Sequence, residues 1–295
     1  MKWILFALAY CAAIQGMAQD DLMALLDDEP AKKENVYATF KGTRIILGHS
    51  VKMRKKKELE LLISHRFGRI NSGAHELWGL DVANIRIGLE YGVMDNLNIG
   101  VGRSSFDKSF DGFIKYKLLQ QSTGPGSFPF SVVFFNSWAV RTTPQQEDDP
   151  SYDFQDRLSS ASQLLIGKKI SPALSLQLMP VFVHKNRVSR IDENSQFALG
   201  AGGRMKLTKS LALNLEYYYR VDAPGRTEFN NSLSVGLDIE TGGHVFQLHF
   251  TNSTMTLERA FVTETFGDFF EGDIHFGFNI SRTFQLGGKK DETSW

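Results

Sequence analysis

Near the end of the chain, GDIHFGFNISRTFQL sets Ile274, Phe276, Phe278, Ile280, Phe284 and Leu286 against His275, Gly277, Asn279, Ser281, Thr283 and Gln285. Successive side chains leave a strand on opposite sides, so a period of two predicts a β-strand with one apolar and one polar face. The pattern recurs. ELELLISHRFG places Leu59, Leu61, Ile63 and Phe67 opposite Glu60, Ser64 and Arg66, and NIRIGLEYGV sets Ile85, Ile87, Leu89, Tyr91 and Val93 against Arg86, Gly88 and Glu90. DGFIKYKLL, QFALGAGGRMKL, LALNLEYYYR and SLSVGLDIE repeat it, while the middle segments PFSVVFFNSWAV, RLSSASQLLIGKK and ALSLQLMPVFVHK alternate less cleanly. Along the chain the pattern predicts about twelve strands of about ten residues, the length a tilted strand needs to cross a hydrocarbon layer.

The connections alternate as well. MDN, SPA, TKS and TGG are short turns, whereas RINSGAHELWGLDVA, TTPQQEDDPSYDFQD, VDAPGRTEFNN and MTLERAFVTETFGDFFEG are long. STGPGSFP is longish for the short side and SFDKS brief for the long one. Short turns at one end, long loops at the other and an even strand number are the marks of a closed transmembrane barrel. The polar face agrees, because it carries charge in mid-strand: Glu60, Arg66, Arg86 and Glu90 early in the chain, then Arg204, Glu216, Arg220, Asp238 and Glu240. A conventional core would bury these groups between sheets, whereas a barrel turns them into its lumen and faces its apolar side to lipid. The fold class expected is therefore all-β, a single closed antiparallel transmembrane β-barrel.

The first residues change the picture of where this happens. Met1-Lys2-Trp3 precedes the apolar run ILFALAYCAAI and then GMAQDD, with Gly16 and Ala18 as small residues before the break. This is the layout of a secretory signal, with cleavage expected after Ala18. Tyr10 before Cys11 lacks the small side chain that lipoprotein processing requires, and Cys11 is the one cysteine, so disulfide and thiol chemistry leave with the signal. The expected division is a signal peptide over 1–18, a periplasmic N-terminal segment over 19–57, the barrel over 58–286 and a tail over 287–295. The expected location is the cell outer membrane. With 33 basic against 33 acidic side chains, bulk charge offers nothing to nucleic acid.

With the strands laid out, QDDLMALLDDE, FKGTRIILGHSV, ISHRFGRINSG, GRSSFDKSFDGFIKYKLL, GLDIETGGHVFQLHFTNS and GDIHFGFNISRTF are seen to resemble a family of Bacteroidota β-barrel proteins catalogued as a domain of unknown function. The resemblance covers nearly the whole chain after the signal. It implies an outer-membrane barrel and brings no catalytic residue, substrate or cofactor with it.

Candidate chemistry is sparse. A lipid-facing hydrolase needs Ser and His on one face, yet His65 points outward while Ser64 beside it points inward. His249 and His275 both look inward from neighbouring strands, but no HxH or HExxH pair supplies further metal ligands, so they read as part of a hydrogen-bonded lining. GAGGR at 200–204 lies inside a strand rather than before a helix and is no phosphate cradle. Tyr91, Trp138, Tyr217, Tyr219, Phe276 and Phe284 suit aromatic girdles. The expected catalytic, cofactor and metal sets are empty.

Three segments outside the wall invite roles. DDLMALLDDE at 20–29 has leucines at helical spacing and suits a periplasmic partner or the barrel mouth. KMRKKK at 52–57 reads as a solvated basic turn before the first strand, with contact to inner-leaflet phosphates as the alternative. MTLERAFVTETFGDFFEG mixes acids with Phe261, Phe266, Phe269 and Phe270, either to fold inward as a gate or to bind outside. The expected partners are outer-membrane lipid, the barrel-assembly machinery, which the closing aromatic strand addresses, and a periplasmic protein. The function expected first is a passive channel or uptake conduit for small polar solutes, selected by the inward charges. A plugged structural or partner-binding barrel is the alternative, and a membrane-embedded lipid hydrolase, an enzyme, stands third.

Overall fold

The structure, a computed structural model, describes residues 32–143, 153–188, 192–221, 229–241 and 244–287. The signal segment, the acidic stretch at 20–29, the middle of the acidic loop at 144–152 and the tail beyond Gly287 lie outside the described residues.

Twelve strands follow one another around a closed barrel. They are β1 Glu58–Arg69, β2 Ala83–Met94, β3 Leu97–Ser104, β4 Phe110–Leu119, β5 Ser131–Val140 and β6 Leu158–Lys169. The circuit continues with β7 Leu174–Lys185, β8 Ser195–Lys206, β9 Leu211–Val221, β10 Ser232–Thr241, β11 His244–Thr251 and β12 His275–Gln285. Every neighbouring pair is antiparallel, and β12 closes on β1 with Phe278 opposite His65 and Gln285 opposite Glu58. Closure removes the unpaired edges that an open sheet would expose. The short turns gather at one end and the long loops at the other, except that residues 120–130 form a long connection at the short-turn end and residues 105–109 a short one at the long-loop end.

Side chains alternate as the pattern demands. On β2, Ile85, Ile87 and Leu89 are exposed on the outer face while Arg86 and Glu90 are buried inside. Trp138, Tyr217, Tyr219 and Phe284 also stand on the outside.

What fills the inside differs from the expectation. Residues 39–54, assigned above to a periplasmic segment, lie within the barrel, with Phe40, Ile45, Ile46, Leu47, Val51 and Met53 all buried. The basic turn assigned to residues 52–57 is likewise divided: Arg54 is buried beside Glu60, and Lys55–Lys57 alone are exposed at the rim. The physical reason is RIILG, whose apolar side chains gain about 1.5–3 kcal/mol each on burial. They find matching wall in Phe113 of β4, Val133 and Phe135 of β5, Leu165 of β6 and Met179, Val181 and Val183 of β7, which form one cluster with them. The weak alternation of the middle strands has the same origin, since a strand covered on both sides is apolar on both sides.

The second intruder comes from the long-loop end. After β11 the chain turns inward through Ser253–Leu257 into a short helix, α1 Glu258–Thr263, all of whose residues are buried. Leu257, Ala260, Phe261 and Val262 join the same apolar cluster. Phe266 and Phe270 stay outside. The gate-like inward fold is thus built around Phe261 rather than around the whole aromatic set.

Candidate functional site: the occupied lumen

The N-terminal segment enters at the short-turn end, where Glu34–Asn35 pairs with Ser122–Thr123, and leaves by the same mouth into β1. Between, it doubles back as a tight hairpin. Ser50 N donates to Thr43 O at 2.9 Å and Ile45 N to Gly48 O at 2.9 Å, with Arg44 bridged to His49. We call this hairpin the plug.

The tip of the plug surrounds a carboxylate of the wall. The backbone N–H groups of Ile46, Leu47 and Gly48 donate to Glu216 at 3.0, 2.7 and 2.9 Å, and Tyr218 Oη adds a fourth bond at 2.8 Å. Successive N–H groups converging on one anion form a nest, and charge-assisted bonds of this kind are about twice as strong as neutral ones. The approach is close enough to demand glycine: a Cβ on Gly48 would sit 1.9 Å from Tyr218 Oη. Wall amides complete the seat. Asn279 Nδ2 donates to Ile46 O at 2.8 Å, Gln247 Nε2 to Ile45 O at 2.9 Å and Gln177 Nε2 to His49 O at 2.8 Å, while Gln177 Oε1 accepts from Val51 N at 2.8 Å. Backbone groups that would be orphaned in a dry interior are thereby satisfied.

The charges inside the barrel divide by task. Three hold the plug: Glu216 as described, Glu60 through Thr43 Oγ1 at 2.5 Å and Arg54 at 3.7 Å, and Glu240 through Lys41 at 3.1 Å. Others pair along the wall. Arg86 is locked to Asp111, Glu90 takes Lys115 at 3.5 Å and Asn98 at 2.8 Å, and Arg204 meets Glu240 at 2.6 Å and Asp238 at 3.5 Å. Arg66 donates to the Asn279 side chain at 3.1 Å, and Arg220 reaches over to the inward helix α1 and its approach, which we call the lid, at Thr263 O, 3.0 Å away. His249 packs against Gly277 opposite it, whereas His275 bonds Phe67 O at 3.0 Å. Among the described residues no three His, Cys, Asp or Glu side chains gather as metal ligands. Ser64 and His65 point to opposite sides, and His65 is stacked on Phe278 and lies tilted against Phe67 outside.

His49 was not singled out by the sequence. It lies fully buried on the plug between Phe113 and Phe135, at ring centroid distances of 4.6 and 4.2 Å. Burial, reinforced by Arg44, Lys115 and Arg86, holds its pKa well below the usual histidine value. Its 3.5 Å approach to Glu258 is therefore a contact of a neutral ring rather than an ion pair. At the plug's exit, burial and the neighbouring Arg54 pull the Lys52 amine down to about 8.

The lid meets the plug inside the barrel. Arg44 Nη1 lies 2.6 Å from Glu258 Oε1 and donates at 3.2 Å to Leu47 O within the plug tip; both charged side chains are buried. Two small voids lie beside these contacts. One void beneath the lid, bounded by Asp111, Ser159 and Leu257, and another beside the plug, bounded by Arg44, Glu60 and Arg86, each hold about 10 Å³, room for about one water.

The fold and its filled interior define a membrane barrel with an internal stopper. Residues 40–284 match the family described as a membrane bound beta barrel domain, DUF5777, and the chain belongs to that family. No curated protein matches the sequence. Among solved structures, the NanC porin aligns at 6% identity over 77% of this chain and 100% of its own, with a TM-score of 0.48. The KdgM porin aligns at 9% identity over 78% and 99%, with a TM-score of 0.44. An outer membrane channel from Pseudomonas putida F1 aligns at 11% over 79% and 97%, with a TM-score of 0.45. These likenesses are too loose to carry a function across.

Proposed function

We propose that the protein is an outer-membrane barrel closed at rest by its own N-terminal plug and loop lid, a gated conduit rather than a passive channel. Long loops would face the cell exterior and short turns the periplasm, as in other barrels of this kind. The observation that carries the reading is the nest: three plug amides and a tyrosine hydroxyl close on Glu216 in the middle of β9. A solute could pass only where the plug now sits, because the charged lining is bonded to the plug, paired beside it or, at Arg66 and Arg220, tied to the wall and the lid. The inward charges then act first as the plug's seat, and only a displaced plug leaves them free to select small polar solutes.

Ionic current through planar bilayers tests this. The full exported chain is expected to hold the membrane closed. A chain that starts at Lys55 and has Ser253–Thr265 replaced by a short Gly-Ser link is expected to conduct steadily. A porin-like current from the full chain, or none from the stripped barrel once its folding is verified by heat-resistant migration, contradicts the proposal.

A further inference from the structure

The lid is fastened at the long-loop end by a chain of alternating charges. Asp192 pairs with Lys185 at 2.7 Å, Lys185 with Glu264 at 3.1 Å, Glu264 with Arg259 at 3.1 Å, Arg259 with Asp107 at 2.7 Å, and Asp107 with Arg141 at 2.9 Å. Arg259 lies in the lid helix and Glu264 immediately after it, while the other four come from three separate connections or strand ends around the mouth. Although burial opposes its charge, Arg259 and Lys185 together hold the Glu264 carboxyl below the usual range, so this clamp is charged at neutral pH. Asp107 and Arg141 are the wet end of the chain, with side chains 24% and 39% exposed, and are open to competition from outside.

At its inner end the same helix touches the plug by two routes. The Arg44–Glu258 pair is one, and its guanidinium nitrogen also holds the plug tip through Leu47 O. The other runs from Phe261 of the lid to Tyr218, at 5.2 Å between ring centroids, and from Tyr218 Oη to the Glu216 carboxylate that seats the plug. A lid that moves outward therefore has to leave Arg44 buried without its counter-charge, which a dry interior resists strongly.

We infer that lid and plug form one coupled relay, through which loosening the charge chain at the long-loop mouth unseats the hairpin at the short-turn mouth. The geometry points to an external ligand of the class that competes for such pairs, a multiply charged anion or cation, as the trigger. A coupling of this kind requires two sites that bias one two-state element, and here that element is the docked pair of lid and plug. The inference rests on the plug being the gate, and its failure is distinguishable from failure of the gate because the stripped barrel reports on the gate alone.

The test is made on full chains with Cys11→Ser and Ser50→Cys, in detergent and in vesicles. Ser50 is fully buried in the plug, so its replacement reports undocking through reaction with a membrane-impermeant maleimide. Asp107→Asn with Lys185→Gln loosens only the outer chain and is expected to raise the labelling rate about tenfold. With the joint replaced by an apolar pair, Arg44→Met and Glu258→Leu, the same outer changes are expected to raise it less than twofold. In the chain with its ion pairs intact, 1 M salt is expected to act like the outer variant. An unchanged rate in the outer variant and in salt overturns the relay, as does an equal rise with and without the Arg44–Glu258 joint.

Discussion

At the scale of single residues, His49 and Glu216 show how the lumen uses buried polar groups. Glu216 is fully satisfied, by three amides and one hydroxyl, and so can remain in a dry place. His49 is tolerated only as the neutral ring, and this has a sign. A histidine whose folded pKa is lowered leaves docking at full strength above the unfolded value of about 6.5 and weakens it as pH falls below, by at most about 1.4 kcal/mol per unit. The groups facing His49 are Arg44 on the plug, Lys115 and Arg86 on the wall and Glu258 on the lid, with Phe113 and Phe135 on its two faces. The frequency of brief openings in bilayers should therefore rise between pH 7 and pH 5, by up to about tenfold per unit, and His49→Phe should flatten that slope. A slope unchanged in His49→Phe would assign the effect elsewhere.

At the scale of elements, the plug hairpin depends on a close approach that a single side chain would spoil. Gly48→Val puts branched carbon where Tyr218 Oη and Glu216 Oε1 now lie, within 1.9 and 2.5 Å of even a Cβ. Undocking of the tip should leave the wall intact, because the twelve-strand ladder does not pass through residue 48. The measurement is paired: current should appear in bilayers, while heat-resistant migration of the barrel stays as in the parent chain. Loss of both would mean that the plug is needed to fold the wall.

The wall was legible because alternation is local. Strands such as NIRIGLEYGV and LALNLEYYYR announce both faces in ten residues. The plug was not legible in the same way, since its partners lie far along the chain: Val51 bonds Gln177, and Arg44 meets Glu258. Two signals were nonetheless present. RIILG is too apolar for a segment left in water, and VVFF in β5 and PVFV in β7 carry apolar residues on both faces, which a water-filled lumen does not ask for. Alternation gathers the charges on one face of each strand, but whether each bonds plug, lid or neighbouring wall depends on register, and register appears only when the barrel closes.

At the scale of the whole molecule, the barrel has two interfaces of opposite character. Outside, apolar side chains meet hydrocarbon; inside, a core much like that of a water-soluble protein joins wall, plug and lid. That inner core fills the lumen expected to be polar and wet, and it ties Arg44 to Glu258, more than two hundred positions later.

A plugged barrel requires residues 39–54 to lie inside the wall in the membrane. Val51 and Gly167 offer the most direct check, since a Cβ on Gly167 would lie 2.7 Å from Val51 Cγ2. In a chain carrying Cys11→Ser, Val51→Cys and Gly167→Cys, folded in the membrane and oxidised, a disulfide linking the two should form in most molecules and shift migration before reduction. Free thiols at both positions, with the barrel folded, would contradict it.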